Sequence, residues 1–246
     1  MKHPMESRIK NILNDSAVRR LEECADIRVG YTPSNNEHRR SNLAPQVEYQ
    51  YCIYLLQPSN IDRSGVIEWE RLEKIPAPQP KTDYSVVDTH ALHEGQVLLC
   101  LRGSIRAVHL SYKSLSQKRS LSEMGGRLLA SGAWAVINPK PKILSAAYLC
   151  WQLNHPSLIE RLKSTQTGSA MPFLKIASVR DLMVTVPSLE TQNSISTIVD
   201  LIETTSALET KRTQLLRTML SSILTTQNPR RGARGVKPPP NGDTSL

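Results

Sequence analysis

Between Glu190 and Thr226 the chain has neither Gly nor Pro, and apolar residues return at helical spacing: Ile195, Ile198, Leu201, Ile202, Leu208, Leu215, Leu216, Met219 and Ile223. This pattern predicts one long helix. Its acidic residues Glu190, Asp200, Glu203 and Glu209 precede the basic Lys211, Arg212 and Arg217, the order that the helix dipole favours, and Pro187 and Ser188 punctuate its start. At about 1.5 Å per residue such a helix spans roughly 55 Å, more than a domain of this size needs for its own core. Leu201, Leu208 and Leu215 stand seven apart, whereas the series Ile198, Thr205, Arg212, Met219 is interrupted by polar side chains. Part of the stripe is therefore expected to meet a second helix, from another chain or from residues 5 to 14. The broken heptad leaves one alternative, a helix folded back on its own domain.

From Leu21 to Pro187 the pattern is mixed. Short β-like runs lie at Gln50 to Leu56, Gln96 to Arg102, Ile105 to Leu110 and Trp134 to Asn138, separated by turns. Ala146 to Asn154 and Ser157 to Ser164 read as two short helices broken at Pro156, and Met183 to Val186 as extended chain. The coarse architecture is α+β, with the long helix attached.

At 246 residues the chain has room for one large domain, or one domain and an appended element. Hydrophobic residues make up 39% and aromatic ones only 4%, so aliphatic side chains must fill most of the core. The net charge of +9 favours a polyanionic partner, and its distribution is uneven. Residues 45 to 96 carry four basic and eight acidic side chains, whereas 97 to 127 carry six basic ones and only Glu123. Residues 128 to 175 add Lys140, Lys142, Arg161, Lys163 and Lys175 against Glu160, which makes the middle of the chain the expected binding face. The last 20 residues hold seven Gly or Pro with Arg230, Arg231, Arg234 and Lys237, and read as a flexible basic tail.

Cys24, Cys52, Cys100 and Cys150 form no CxxC pair, which favours free buried thiols of an intracellular protein. Residues Met1 to Asp15 lack the apolar run of a signal peptide, and no stretch approaches the ~20 apolar residues that span a bilayer. A cytoplasmic protein with no membrane partner is the expectation.

Catalytic motifs are scarce. There is no GxxxxGK[ST] and no GxGxxG to cradle phosphates. Asn138-Pro139-Lys140-Pro141 lacks the second proline and the aromatic of an amine-methylating motif, and reads as a loop after a strand. Glu68, Glu70 and Glu73 with Lys74 are the nearest approach to a metal nuclease, though solvated charges are the commoner meaning of such a cluster. His90 and His93 form an HxxH pair in a turn-like setting without an evident third ligand. These residues describe a non-catalytic chain with no metal site and no cofactor of its own.

Several segments, in order, resemble the specificity subunit of type I DNA restriction-modification systems. Arg20 to Thr32 (RLEECADIRVGYT) is similar to the opening of that family's target recognition domain, and Gln57 to Asp62 with Gly65-Val66-Ile67 to its next segment. Leu92 to Leu99 matches Leu-x-x-Gly-Asp-Val/Ile-Leu, with Gln96 in place of the usual Asp. Arg102-Gly103-Ser104 follows, then Ala147 to Asn154 as a helix before a Gly-rich loop, Thr167 to Leu174 (TGSAMPFL). Asp181-Leu182, Val186 to Leu189 and Gln192 lead into the long helix.

The resemblance implies a mixed-strand target recognition domain over 17–189, a spacer and dimerisation helix over 190–226, an N-terminal extension over 1–16 and a tail over 227–246. Members usually carry two such domains and two such helices, the helices lying antiparallel as a spacer between two half-site readers. This chain has one of each, so a homodimer, or pairing with another specificity polypeptide, would restore the pair. Ile198, Leu201, Leu208, Leu215 and Met219 are the expected partner-facing residues. The implied role is to read a short sequence in double-stranded DNA for a separate adenine methyltransferase subunit and, in the complete system, a restriction subunit. S-adenosylmethionine and ATP would then belong to those partners.

Lys and Arg would position phosphates while loop side chains read base edges. The DNA-contacting candidates are Tyr31, Arg39 and Arg40 in the first loop, Arg102, Ser104 and Arg106 around the central strands, Lys118 and Arg119 beyond them, and Thr167, Gly168 and Ser169 in the Gly-rich loop. A free-standing DNA-binding regulator or anti-restriction decoy is the alternative from another class.

Overall fold

A computed structural model describes residues 16–33, 52–62, 65–76, 84–111, 114–115, 126–170 and 172–226. The chain opens with β1 (Ala17–Arg20), the single-turn helix α1 (Leu21–Cys24) and β2 (Ala25–Val29). Next come β3 (Cys52–Leu56), β4 (Glu73–Pro76), α2 (Tyr84–His90), β5 (Val97–Cys100), β6 (Ala107–His109), β7 (Gly126–Ala130) and β8 (Trp134–Pro139). Helices α3 (Ala146–Leu153), α4 (Pro156–Ser164) and α5 (Ile176–Arg180) precede β9 (Met183–Val186) and the long α6 (Leu189–Thr226).

The strands form three sheets. An antiparallel sheet runs β2-β8-β5-β6, a second runs β4-β3-β7 with β3 and β7 parallel, and β1 pairs with β9 antiparallel. All four residues of β5 are buried, because both faces of its sheet are covered. Successive strand side chains point to opposite faces. Val97 and Leu99 accordingly join Ala135 and Ile137 in a core shared with Leu149, Leu153, Val179 and Val184 from the helical side. Leu98 and Cys100 join Trp134 and Val136 in a second core with Leu56, Leu128 and Ala130 from the three-stranded sheet. A strand covered on both sides needs a continuous apolar run, which is why Val-Leu-Leu-Cys is legible as a strand. Trp134 is fully buried between the two sheets, and its indole N–H donates to the Leu56 carbonyl at 3.0 Å.

The pairing of Ala17↔Val186 through Arg20↔Met183 brings the start of the chain beside the strand that feeds α6. There Gln192, fully buried, donates through its side-chain amide to the carbonyls of Ile143 (2.9 Å) and Pro187 (2.8 Å), and accepts from the Ser145 N–H (2.7 Å). The bonds to Ile143 and Ser145 fasten the first turn of α6 to the segment before α3, and the bond to Pro187 closes on the lead-in to α6 itself. The chain parts into two units between Thr197 and Ile198.

Several expectations need correction. Pro156 begins α4 instead of merely breaking a helix, since the first helical position needs no N–H and His155 caps the helix by accepting from Ser157. Asn138 and Pro139 are the end of β8, paired with Asp26 and Ala25, and not a loop. Pro139 fits there because a terminal strand position can do without its donor. His90 closes α2 and does not sit in a turn. Every residue of α6 from Leu201 to Ser222 is exposed. The N-terminal extension through Asp15 and the basic tail from Gln227 lie outside the described residues.

Candidate nucleic-acid interface

Two stretches 60 residues and more apart in sequence come together beyond the end of β5. Leu101 is buried and its N–H donates to the Ala133 carbonyl (2.8 Å), which ties this exit to the turn between β7 and β8. Arg102, Gly103 and Ser104 follow, all exposed. The Gly-rich loop after α4 lies alongside. Thr167 and Phe173 exchange both backbone hydrogen bonds (3.0 and 2.9 Å), and the Leu174 N–H donates to the Leu101 carbonyl (2.8 Å). Phe173 also bridges to Arg102, so its backbone is held from two sides. Leu174, 2% exposed, anchors the loop in the core. Gly168 turns the loop with a φ of 95°, a left-handed conformation that side chains with a Cβ rarely adopt.

The β7–β8 turn brings in a third stretch. Tyr31 forms a parallel bridge to Ser131, and its N–H donates to the Ala130 carbonyl at 2.7 Å. That approach requires Gly30, because a Cβ there would stand 2.0 Å from the Ser131 carbonyl oxygen. The Tyr31 ring meets His90 edge-on, with centroids 5.9 Å apart. Beneath it Arg28 donates through Nη2 to the His90 carbonyl (3.1 Å), while its Nη1 is buried without a partner and burial lowers its pKa.

The structure thus brings Tyr31, Arg102, Ser104, Thr167, Gly168 and Ser169 to one end of the four-stranded sheet, around the turn at 131–133. Arg106 is placed differently. Its half-buried guanidinium donates to the carbonyls of Pro58, Ile61 and Asp62, with the last bond at 2.9 Å, and tethers that segment. Arg39, Arg40, Lys118 and Arg119 lie outside the described residues.

Arg102 and Lys175, both exposed, supply positive charge in the two segments that meet here. Thr167 Oγ1 and Gln166 Nε2 are buried without a partner, a cost of about 1–3 kcal/mol each that local packing leaves uncompensated. Phe173 is not among the DNA-contacting candidates of the sequence, and Lys175 counts there only towards the basic middle of the chain. The signal for the first was available: Phe173 is the one Phe in the chain, and it is 40% exposed.

The acidic cluster does not gather around a site. Glu68 pairs with Arg71, and Glu73 accepts from the Gln57 side chain at 3.0 Å. Among the described residues no group of three or more His, Cys, Asp or Glu could hold a metal ion. None of the four cysteines forms a disulfide, and Cys24, Cys52 and Cys100 are buried.

A second surface lies on the helices. A groove of about 300 Å³ is lined by Tyr148, Trp151, Gln152, His155, Leu158 and Ile195 among others. Tyr148 donates to the Thr185 carbonyl (3.1 Å), and burial raises its pKa. In the second unit Ile198, Leu201, Leu208, Leu215 and Met219 are between 57% and 66% exposed, and Ile202, Leu216 and Leu220 are open as well. Among the described residues, no helix is long and apolar enough to cross a membrane.

Residues 120–218 match the family model of the type I restriction modification DNA specificity domain. That stretch is similar to a type I specificity domain. The match to the specificity domain takes in β7, β8, α3 to α5, β9, most of α6 and the loop Thr167–Leu174, while Tyr31 and Arg102 precede it. No curated protein matches the chain. Among solved structures, one described as the structural basis of complex assembly and conformational transition of the type I R-M system is similar at a TM-score of 0.56 and 15% identity, over 85% of this chain and 43% of that one. The HsdS subunit from Thermoanaerobacter tengcongensis aligns at a TM-score of 0.48 and 17% identity over 81% of this chain and 40% of its own. The type I restriction-modification system S subunit from M. genitalium aligns at 0.44 and 13% over 76% and 38%. The first of these likenesses shows a shared fold, and the chain spans less than half the length of that protein.

Proposed function

We propose that this chain is the sequence-reading subunit of a type I restriction-modification system. It binds a short sequence in double-stranded DNA and presents it to a separate adenine methyltransferase subunit, with a restriction subunit acting in the complete assembly. The observation that carries the reading is the specificity-domain match over 120–218 joined to an end of the sheet that gathers Tyr31, Arg102, Ser104 and Thr167 to Ser169. Lys and Arg at that end position the phosphates, and the loops address base edges.

The chain itself is non-catalytic in this reading and works in the cytoplasm. S-adenosylmethionine and ATP are held by its partners. Its open α6 stripe takes a second copy, or the helix of another specificity polypeptide, with Ile198, Leu201, Leu208, Leu215 and Met219 at the contact.

Capture of the tagged chain from cells of its source organism tests the reading. An adenine methyltransferase polypeptide is expected to copurify in stoichiometric amount. Recovery of the chain alone, with methylation of the genome unchanged when its gene is deleted, would refute it.

A further inference from the structure

Among the described residues large exposed aromatic rings are rare, and Phe173 is an exposed one on a backbone held by hydrogen bonds. It exchanges two hydrogen bonds with Thr167, bridges to Arg102 on the other side, and is followed by a residue locked into the core. A core role does not explain it, because its ring contributes to none of the buried clusters and is 40% exposed. Its setting is polar and cationic: Arg102, Ser104, Ser169 and Lys175 are all exposed.

An apolar ring on a hydrogen-bonded backbone, with exposed cations at the bridged Arg102 and at Lys175 two residues on, suits duplex DNA. Phosphates are met by the cations, while an aromatic side chain can touch a thymine methyl or press on a base step. We infer that Phe173 is a specificity-determining residue: its ring contacts one base pair of the target while Arg102 and Lys175 engage the phosphates. This rests on the DNA-reading function proposed above and adds to it the residue that chooses a base.

The test is a map of adenine methylation in cells of the source organism whose chromosomal gene carries Phe173→Ala, Phe173→Leu or Arg102→Ala, beside wild type and a deletion. Wild type is expected to yield a motif that the deletion loses. Phe173→Ala should relax one position of that motif, with discrimination there falling about tenfold and every other position kept. Arg102→Ala should lower methylation at all sites and leave the motif intact. Phe173→Leu, which keeps an apolar side chain, guards against a folding artefact, and thermal melting of the purified variants should match wild type. An unchanged motif in both Phe173 variants would overturn the inference. So would a uniform loss of methylation at an unaltered motif, which would assign the ring to a protein contact. A wild-type strain whose methylation matches the deletion would overturn the DNA-reading function itself, and the inference with it.

Discussion

The same side chains meet opposite fates in the two units. In β5, Val97, Leu98 and Leu99 are completely buried, because one sheet face packs on helices and the other on a second sheet. In α6, Leu201, Leu208 and Leu215 are more than half exposed. Hydrophobicity does not separate the two regions; the presence of a covering layer does. Burying an aliphatic side chain is worth about 1.5–3 kcal/mol, so the first unit supplies its own stability. A single helix in water gains little from propensity and draws most of its stability from packing, so α6 calls for a second surface.

The largest effect should come from removing the side chain that joins the sheets. Trp134→Ala is expected to cost about 3–5 kcal/mol, read by denaturant unfolding, through the cavity it leaves and the Leu56 carbonyl it strands. A milder loss would mean that the two cores are not one cooperative structure. The helix should behave in the opposite way. Replacing Leu201, Leu208 and Leu215 together with Glu should leave melting of the first unit unchanged while weakening self-association on the order of a hundredfold, measured by sedimentation. If the triple variant unfolds the first unit, the contrast between the units is wrong.

Gln192 sits where the two behaviours meet. Gln192→Leu strands the Ser145 N–H and the Ile143 and Pro187 carbonyls, and is expected to cost about 2 kcal/mol in thermal unfolding. A smaller, pH-dependent effect comes from the buried thiols. Burial raises the pKa of both Cys24 and Cys100, so above about pH 9 the unfolded chain gives up those protons first. Stability from this source is therefore fully present below that pH and falls as pH rises through it. A Cys24→Ala, Cys100→Ala double variant should show a shallower alkaline decline, and an equal slope would assign it to other groups.

Elements with a strong one-dimensional signal were legible from the chain alone. The continuous apolar run of β5, the alternating β9 and the uninterrupted α6 fall within a residue or two of their expected places. β1 was not legible, because Ala17–Arg20 is exposed at every position and is a strand through its pairing with the distant β9. The interface was legible only in pieces. Arg102 and Thr167 were each singled out, but their neighbourhood depends on backbone bonds through Phe173 that no local pattern announces. The same holds for Arg106, which looks like any other cation of the basic middle until its guanidinium is seen on three carbonyls.

Under the proposed function, pairing of a closed domain through an open helix makes a demand on the DNA site. Two identical copies joined through α6 are related by a two-fold axis, and a symmetric dimer reads a symmetric target. The most direct test is the adenine-methylation motif that disappears when the gene is deleted from its host. Pairing of two copies gives two short half-sites, each the reverse complement of the other, separated by a fixed unread spacer. A single uninterrupted motif, or a methylation pattern that survives the deletion, would contradict it.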